Sequence, residues 1–231
     1  MNFKEFQQEA KRTCPDLLTI YHDNDLNKNI LSLNLLLYYD KKTESYAQCP
    51  EILNLIHTRI GIVTETEELM EAIAKKDRVG VSEELVDKLW YIANDILFMI
   101  KGGYIDESIS SQIINYKFDQ TIHATDCPSI NKTLSDWMNA IVYNEVKLLD
   151  FIKKYYCYNK LMDKNEYLKR MTYLLAAINN IAVTVKVDLY EGMDKVIAKL
   201  RLRFPQNFSS SEAINRDHTA ERVILEQKVE K

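Results

Sequence analysis

Four carboxylates at helical spacing are the residues of this sequence best suited to chemistry. Glu65 and Glu68 stand three residues apart, as do Glu84 and Asp87, and that spacing puts both acids of a pair on one helix face. If a tight turn joins two such helices, the four carboxylates converge. Residues 64–71, Thr-Glu-Thr-Glu-Glu-Leu-Met-Glu, hold Glu65, Glu67, Glu68 and Glu71 with no basic residue before Lys75. Like charges that close are destabilising unless water or a cation screens them. Hard divalent cations suit such oxygen clusters, magnesium above all and manganese as a substitute, because the ion keeps several waters and is shared between carboxylates and substrate phosphates. Either spacing alone has little specificity, since charge-rich helix segments are commonly solvated faces. Placement strengthens the signal: Glu65 and Glu68 lie inside an apolar helical pattern, and Asp87 runs directly into Leu89-Trp90-Tyr91-Ile92.

The elements that must position these acids are legible from periodicity. Leu55, Ile56, Ile62, Val63, Leu69, Met70 and Ile73 recur with the spacing of an antiparallel helix bundle, so Pro50 to Lys76 reads as one long helix. Arg78 to Ser82 breaks the pattern. Ser82 then reads as an N-cap, and Leu85, Leu89, Ile92, Ile96 and Ile100 carry a second helix to Gly102-Gly103. A third helix spans about 105–120, and His123 to Asn131 reads as a linker. Beyond it the plan repeats: a helix over Leu134–Tyr158, a turn at Asn159–Lys164, a helix to about Val187, another ending at Phe204-Pro205, and a tail helix over Ser209–Gln227. Before Pro50, a helix covers Phe3 to Thr13, and the apolar stretch Ile30–Tyr39 packs across the bundle or forms a short strand.

The fold class is therefore all-α, an antiparallel helix bundle. The 231 residues suffice for one sizeable core or two small ones, and five Gly and four Pro are too few for a many-stranded barrel or a glycine-rich phosphate loop. Thirty basic residues against 34 acidic ones leave a net charge of −4, which is no footprint for duplex nucleic acid or an anionic membrane. The charged N-terminal stretch and the lack of a long apolar run point to a cytoplasmic protein. Cys14, Cys49, Cys127 and Cys157 are spaced for neither a zinc site nor a disulfide framework and read as reduced structural thiols.

The run His57-Thr-Arg-Ile-Gly61-Ile-Val-Thr-Glu65-Thr-Glu-Glu68-Leu-Met-Glu-Ala-Ile73, a connector, and then Glu83-Glu84-Leu-Val-Asp87-Lys-Leu-Trp90-Tyr91 resembles the all-α nucleoside triphosphate pyrophosphohydrolases, the MazG-like and dimeric dUTPase superfamily. Their signature is ExxE followed, after a spacer, by ExxD. Phe3 to Thr13 resembles the family's N-terminal helix. Lys199-Leu-Arg-Leu-Arg203-Phe-Pro205, with Asn215-Arg-Asp217 and Glu221-Arg222, resembles the C-terminal part of MazG-like proteins. The sequence also departs from the pattern. Val86 replaces the glycine before the motif aspartate, and Ile114 and Val196 stand where an asparagine precedes the phosphate-contacting lysine, here Lys117 or Lys199.

The second half reverses the acids. Asn144-Glu-Val-Lys147 falls where Glu65-Thr-Glu-Glu68 falls, and Arg170-Met-Thr-Tyr173 falls where Glu84-Leu-Val-Asp87 falls. Lys147 and Arg170 would favour anions where the first half favours a cation, unless they are merely drifted surface charge. The chain then divides into an N-terminal half, 1–122, with the acid motifs and a degenerate C-terminal half, 132–231, fused as an internal pseudo-duplication.

The resemblance implies that Glu65, Glu68, Glu84 and Asp87 bind Mg²⁺, with Mn²⁺ as an alternative, and that Glu65 or Glu68 serves as the catalytic base. A nucleoside triphosphate would be cleaved at the α-phosphorus to a monophosphate and pyrophosphate. Lys117, Lys199 and Arg203 would contact phosphates, while His57, Trp90 and Asn94 would meet the nucleoside. The resemblance further implies a homodimer or a pseudo-dimeric single chain. Two alternatives stand beside a MazG-like house-cleaning enzyme: a dUTPase- or dCTPase-specific enzyme, and an inactive nucleotide- or alarmone-binding regulator.

Overall fold

The computed structural model describes residues 1–15, 37–40, 45–48, 51–118, 133–158, 160 and 162–227. Along the chain these form α1 (Phe3–Thr13), β1 (Leu37–Asp40), β2 (Ser45–Gln48), α2 (Ile52–Lys75), α3 (Arg78–Lys101), α4 (Glu107–Ile114), α5 (Leu134–Tyr158), α6 (Lys164–Val185), α7 (Leu189–Arg203), α8 (Ser210–Ile214) and α9 (His218–Glu226). The fold is all-α, with one short hairpin among the described residues. There β1 and β2 pair antiparallel, Leu37 opposite Gln48 and Asp40 opposite Ser45. The strand reading thus holds for Leu37–Tyr39, the end of the apolar stretch. Ile30–Leu36 and the expected linker at His123–Asn131 lie outside the described residues.

Capping chemistry explains where the helices differ from their periodicity. The second long helix begins at Arg78, because the Asp77 side chain accepts from the Gly80 amide and caps it there. Lys76, left-handed at φ 55°, closes α2. The expected break at Arg78–Ser82 is therefore the first turn of α3, and only Lys76-Asp77 separates the two helices. The tail helix is split as well: Asp217 accepts from the Thr219 and Ala220 amides and starts α9 separately from α8. The third helix is shorter than expected, ending at Ile114.

Helix α3 lies at the centre, packed against α1, α2, α4, α6, α7 and α9. It can be buried on several sides because Leu85, Val86, Leu89, Ile92, Ala93, Ile96 and Met99 cover more than one face, and none of them is exposed. Helices α2 and α3 form one hairpin, α5 and α6 another, and α2 packs on α5. Two buried ionic networks hold the hairpins together. The Arg59 Nε–H donates to Asp95 Oδ1 at 2.8 Å and its Nη1–H to the Leu148 carbonyl at 2.9 Å. Tyr167 of α6 donates its hydroxyl to the other Asp95 oxygen at 2.8 Å. In the second network Lys88 of α3 meets Glu145 of α5 at 2.7 Å, with Thr66 of α2 bonded to both. Charges so fully desolvated persist because each has several partners in place. No described helix is long and apolar enough to cross a membrane. Cys14 and Cys157 are not joined in a disulfide among the described residues, and Cys49 and Cys127 lie outside them.

Candidate active site

The hairpin turns the acid-bearing faces of α2 and α3 toward each other. Carboxylate oxygens of Glu65, Glu84 and Asp87 come within 4.8 Å of one another. Glu68 is exposed, one turn further along α2, and does not join the three, but it lines the same cavity. That cavity, about 480 Å³, lies between α2, α3 and α7 and is also lined by Thr13 at the end of α1, by Pro15, and by Phe208, Ala213 and Arg216.

Burial makes the acids costly to ionise together. Glu65 is 9% exposed. Burial first and then the Asp87 charge push its carboxyl up to about 7. Burial, Asp87 and a hydrogen bond to Glu65 push Glu84 up to about 10. Near neutral pH Glu84 therefore keeps a proton and donates it to Glu65, so the pair carries less charge than two free carboxylates. Three hard oxygen donors held together against their own repulsion match the needs of a hard divalent cation, whose charge would displace that proton.

Two cations of the cavity, Lys199 and Arg203, come from α7, more than a hundred residues away in sequence, and Arg216 follows α8. Lys199, 2% exposed, donates Nζ–H bonds to Asp87 Oδ2 at 2.6 Å and Glu83 Oε1 at 2.9 Å. Burial works against its charge, but the Asp87 and Glu83 carboxylates outweigh burial and raise its pKa. Arg203 lines the cavity with its Nε–H donated to Glu221 of α9 at 2.7 Å, so the guanidinium is fixed by a carboxylate of its own.

The opposite wall is aromatic. His57 and Tyr91 meet edge to face at 5.7 Å, and Tyr91 and Trp90 at 4.9 Å. Trp90 is mostly buried, its indole N–H donating to the Thr13 hydroxyl at 3.0 Å. His57 Nδ1 is buried without a partner, and burial lowers the pKa of the ring, which favours the neutral imidazole. Gly61 permits this wall: a Cβ there would lie 2.2 Å from the Tyr91 ring.

Of the residues singled out by sequence, His57, Glu65, Glu68, Glu84, Asp87, Trp90, Lys199 and Arg203 line the one cavity. Two do not. Asn94 is 1% exposed and donates to the Trp90 carbonyl one turn back, so its place on the stripe of Glu84, Asp87 and Tyr91 turns it into the core. Lys117 is exposed in the segment after α4, which ends too early to carry it on a helix face. Lys147 and Arg170 are also elsewhere, both over the Tyr143 ring, with Arg170 bonded to Glu166. Sequence reading missed Glu83, Tyr91 and Arg216. Tyr91 was recoverable, since it lies one turn beyond Asp87 on the acid face, whereas Glu83 is defined only by its contact with Lys199.

Comparison with curated proteins gives no match, and neither does comparison with solved structures. The family model described as the MazG nucleotide pyrophosphohydrolase domain matches residues 55–117, from the first turn of α2 to just beyond α4. With both acid pairs inside that span and an all-α hairpin presenting them to one cavity, residues 55–117 are similar to the MazG nucleotide pyrophosphohydrolase domain.

Proposed function

We propose that the chain is a magnesium-dependent pyrophosphohydrolase that converts a nucleoside or deoxynucleoside triphosphate and water into the monophosphate and pyrophosphate. The observation that carries this reading is the convergence of Glu65, Glu84 and Asp87 within 4.8 Å on a cavity of the MazG-like segment. Held by these three, Mg²⁺ would neutralise the triphosphate and orient it for in-line attack. Glu68 is left outside the three and takes the proton of the attacking water. The water oxygen bonds to the α-phosphorus as the bond to the bridging oxygen breaks, and pyrophosphate leaves with that electron pair. Arg203 and Arg216 face the phosphates from the α7–α9 side. The His57–Tyr91–Trp90 wall receives the nucleoside, with neutral His57 Nδ1 available to a polar edge of the base. The second half occupies the place of a partner subunit in a cytoplasmic, pseudo-dimeric enzyme.

The test is pyrophosphate release from a panel of ribo- and deoxyribonucleoside triphosphates with Mg²⁺, using Glu84→Gln and Asp87→Asn as controls. Release confined to dUTP or dCTP would make the enzyme pyrimidine-specific. No release from any nucleotide, or equal release by the variants, overturns the enzyme reading; tight binding without turnover would mark a regulator.

A further inference from the structure

We propose that Lys199 is a built-in counter-cation standing in the place of a second divalent ion, so that the acidic cavity takes one divalent ion per chain. The inference rests on the metal-site reading of the cavity given above. Five carboxylates line that cavity: Glu65, Glu68, Glu83, Glu84 and Asp87. Asp87 belongs to two groups at once. It joins the convergent three, and its Oδ2 also accepts from Lys199 Nζ, which reaches on to Glu83. An ammonium bridging a shared carboxylate and one further acid makes the contacts that a second ion of a two-metal site would make.

Lys199 is held too firmly for an exchangeable surface lysine. It reaches the acids from α7, where Val196, Ile197 and Leu200 are buried beside it in the packing of α7 on α3, and leaving the acids would break both of its carboxylate bonds. Arg203, one turn further along α7 and fixed by Glu221, adds a second positive charge on the same side. A divalent ion entering between Glu83 and Asp87 would have to displace the Lys199 ammonium from both acceptors, whereas one held by Glu65, Glu84 and Asp87 could leave the bond to Glu83 in place. Glu83 also gains a role that the ExxD pattern does not provide: it anchors the lysine. Lys199 is therefore a positioning residue that limits Asp87 to one free oxygen.

The test is a Mn²⁺ titration of the full chain without nucleotide, counting bound ions by the electron paramagnetic resonance signal of free Mn²⁺. The unaltered protein is expected to bind one ion, Lys199→Met two, and Lys199→Arg one, since the arginine restores the cation. Circular dichroism with Mn²⁺ present checks that each variant is folded. Should Lys199→Met fail to fold, anomalous diffraction from Mn²⁺-soaked crystals of the unaltered protein decides: a single peak at Glu65, Glu84 and Asp87, with Lys199 still on Asp87, is expected. Two ions in the unaltered protein, or one ion in a folded Lys199→Met, overturns the inference while leaving the metal site intact. No bound ion at all overturns the metal site and this inference with it.

Discussion

Thr66 of α2 donates its hydroxyl to Glu145 of α5, at 2.8 Å to Oε2, and aligning the second half of the chain on the first would make these two residues equivalent. Contact between equivalent residues is what two-fold related surfaces produce at their axis. A second equivalence lies beside it. Arg170 and Asn144, at the places of Glu84 and Glu65, are hydrogen-bonded at 3.2 Å across α6 and α5, as Glu84 and Glu65 are across α3 and α2. These are contacts that the proposed duplication would produce, with an Arg–Asn bond in the second unit where the first has a carboxylate pair.

Lys88 completes the Thr66–Glu145 contact, and its side chain is fully buried. Lys88→Met leaves the buried Glu145 carboxyl with the Thr66 hydroxyl but no counter-charge and is expected to cost about 3–5 kcal/mol. Lys88→Met with Glu145→Leu should recover most of that loss. Urea unfolding of the single and double variants checks this, and additive losses would show that the pair is not coupled.

Metal-free stability and metal response separate at the acid cluster. Glu84 already holds a proton near neutral pH, so Glu84→Gln should change the melting temperature of the metal-free protein little. Asp87→Asn removes the charge that raises both neighbours, but it also takes an acceptor from Lys199. Both variants should lose the Mg²⁺-induced rise in melting temperature and about 10²-fold or more in turnover. Differential scanning calorimetry with and without Mg²⁺, alongside pyrophosphate release, measures both effects.

The raised carboxyls set a pH dependence whose sign can be worked out. Glu65, pushed up to about 7 from an ordinary 4.5, binds more proton folded than unfolded between those values. Its contribution to metal-free stability is complete below 4.5 and is lost as pH rises through about 7. A divalent ion expels that proton, and the one on Glu84 as well. Affinity should therefore tighten from about pH 6 to about pH 8, by about tenfold per pH unit for each proton released. Titration calorimetry in two buffers of different ionisation heat counts the protons, and a pH-independent affinity would refute the assignment.

Gly61→Ala drives a methyl into the Tyr91 ring. An overpacked site of this kind costs about 1–3 kcal/mol, and the ring is expected to tilt into the cavity and raise KM. Combining Gly61→Ala with Tyr91→Leu should restore stability, as read by urea unfolding, because the shorter side chain frees the space.

Lys117 provides the opposite expectation. Exposed and away from the cavity lining, Lys117→Ala should leave kcat/KM within about twofold, as surface substitutions away from a site generally do. A tenfold rise in KM would return it to the phosphate site.

Much of this architecture was legible in the sequence because it is local. Phe3–Thr13 and Leu134–Tyr158 are helices at the boundaries their periodicity implies, and the acid pairs share faces because helical geometry demands it. Boundaries failed where one side chain decided them: Asp77 capping Gly80 moved the start of α3, and Asp217 split the tail. Asn94 failed for a different reason, since the face it shares with the acids meets the cavity at one end of α3 and the core further along.

By itself, then, the sequence determined that two long helices carry paired acids on matching faces, since the period of a helix depends only on its own backbone. Which three acids converge, that Glu68 stays outside, that Lys199 spends its charge on Glu83 and Asp87, and that Arg203 is tied to Glu221 were decided by tertiary structure alone. The Lys199 contacts join residues more than a hundred positions apart through the packing of α7 on α3, and no periodicity within either helix encodes that distance.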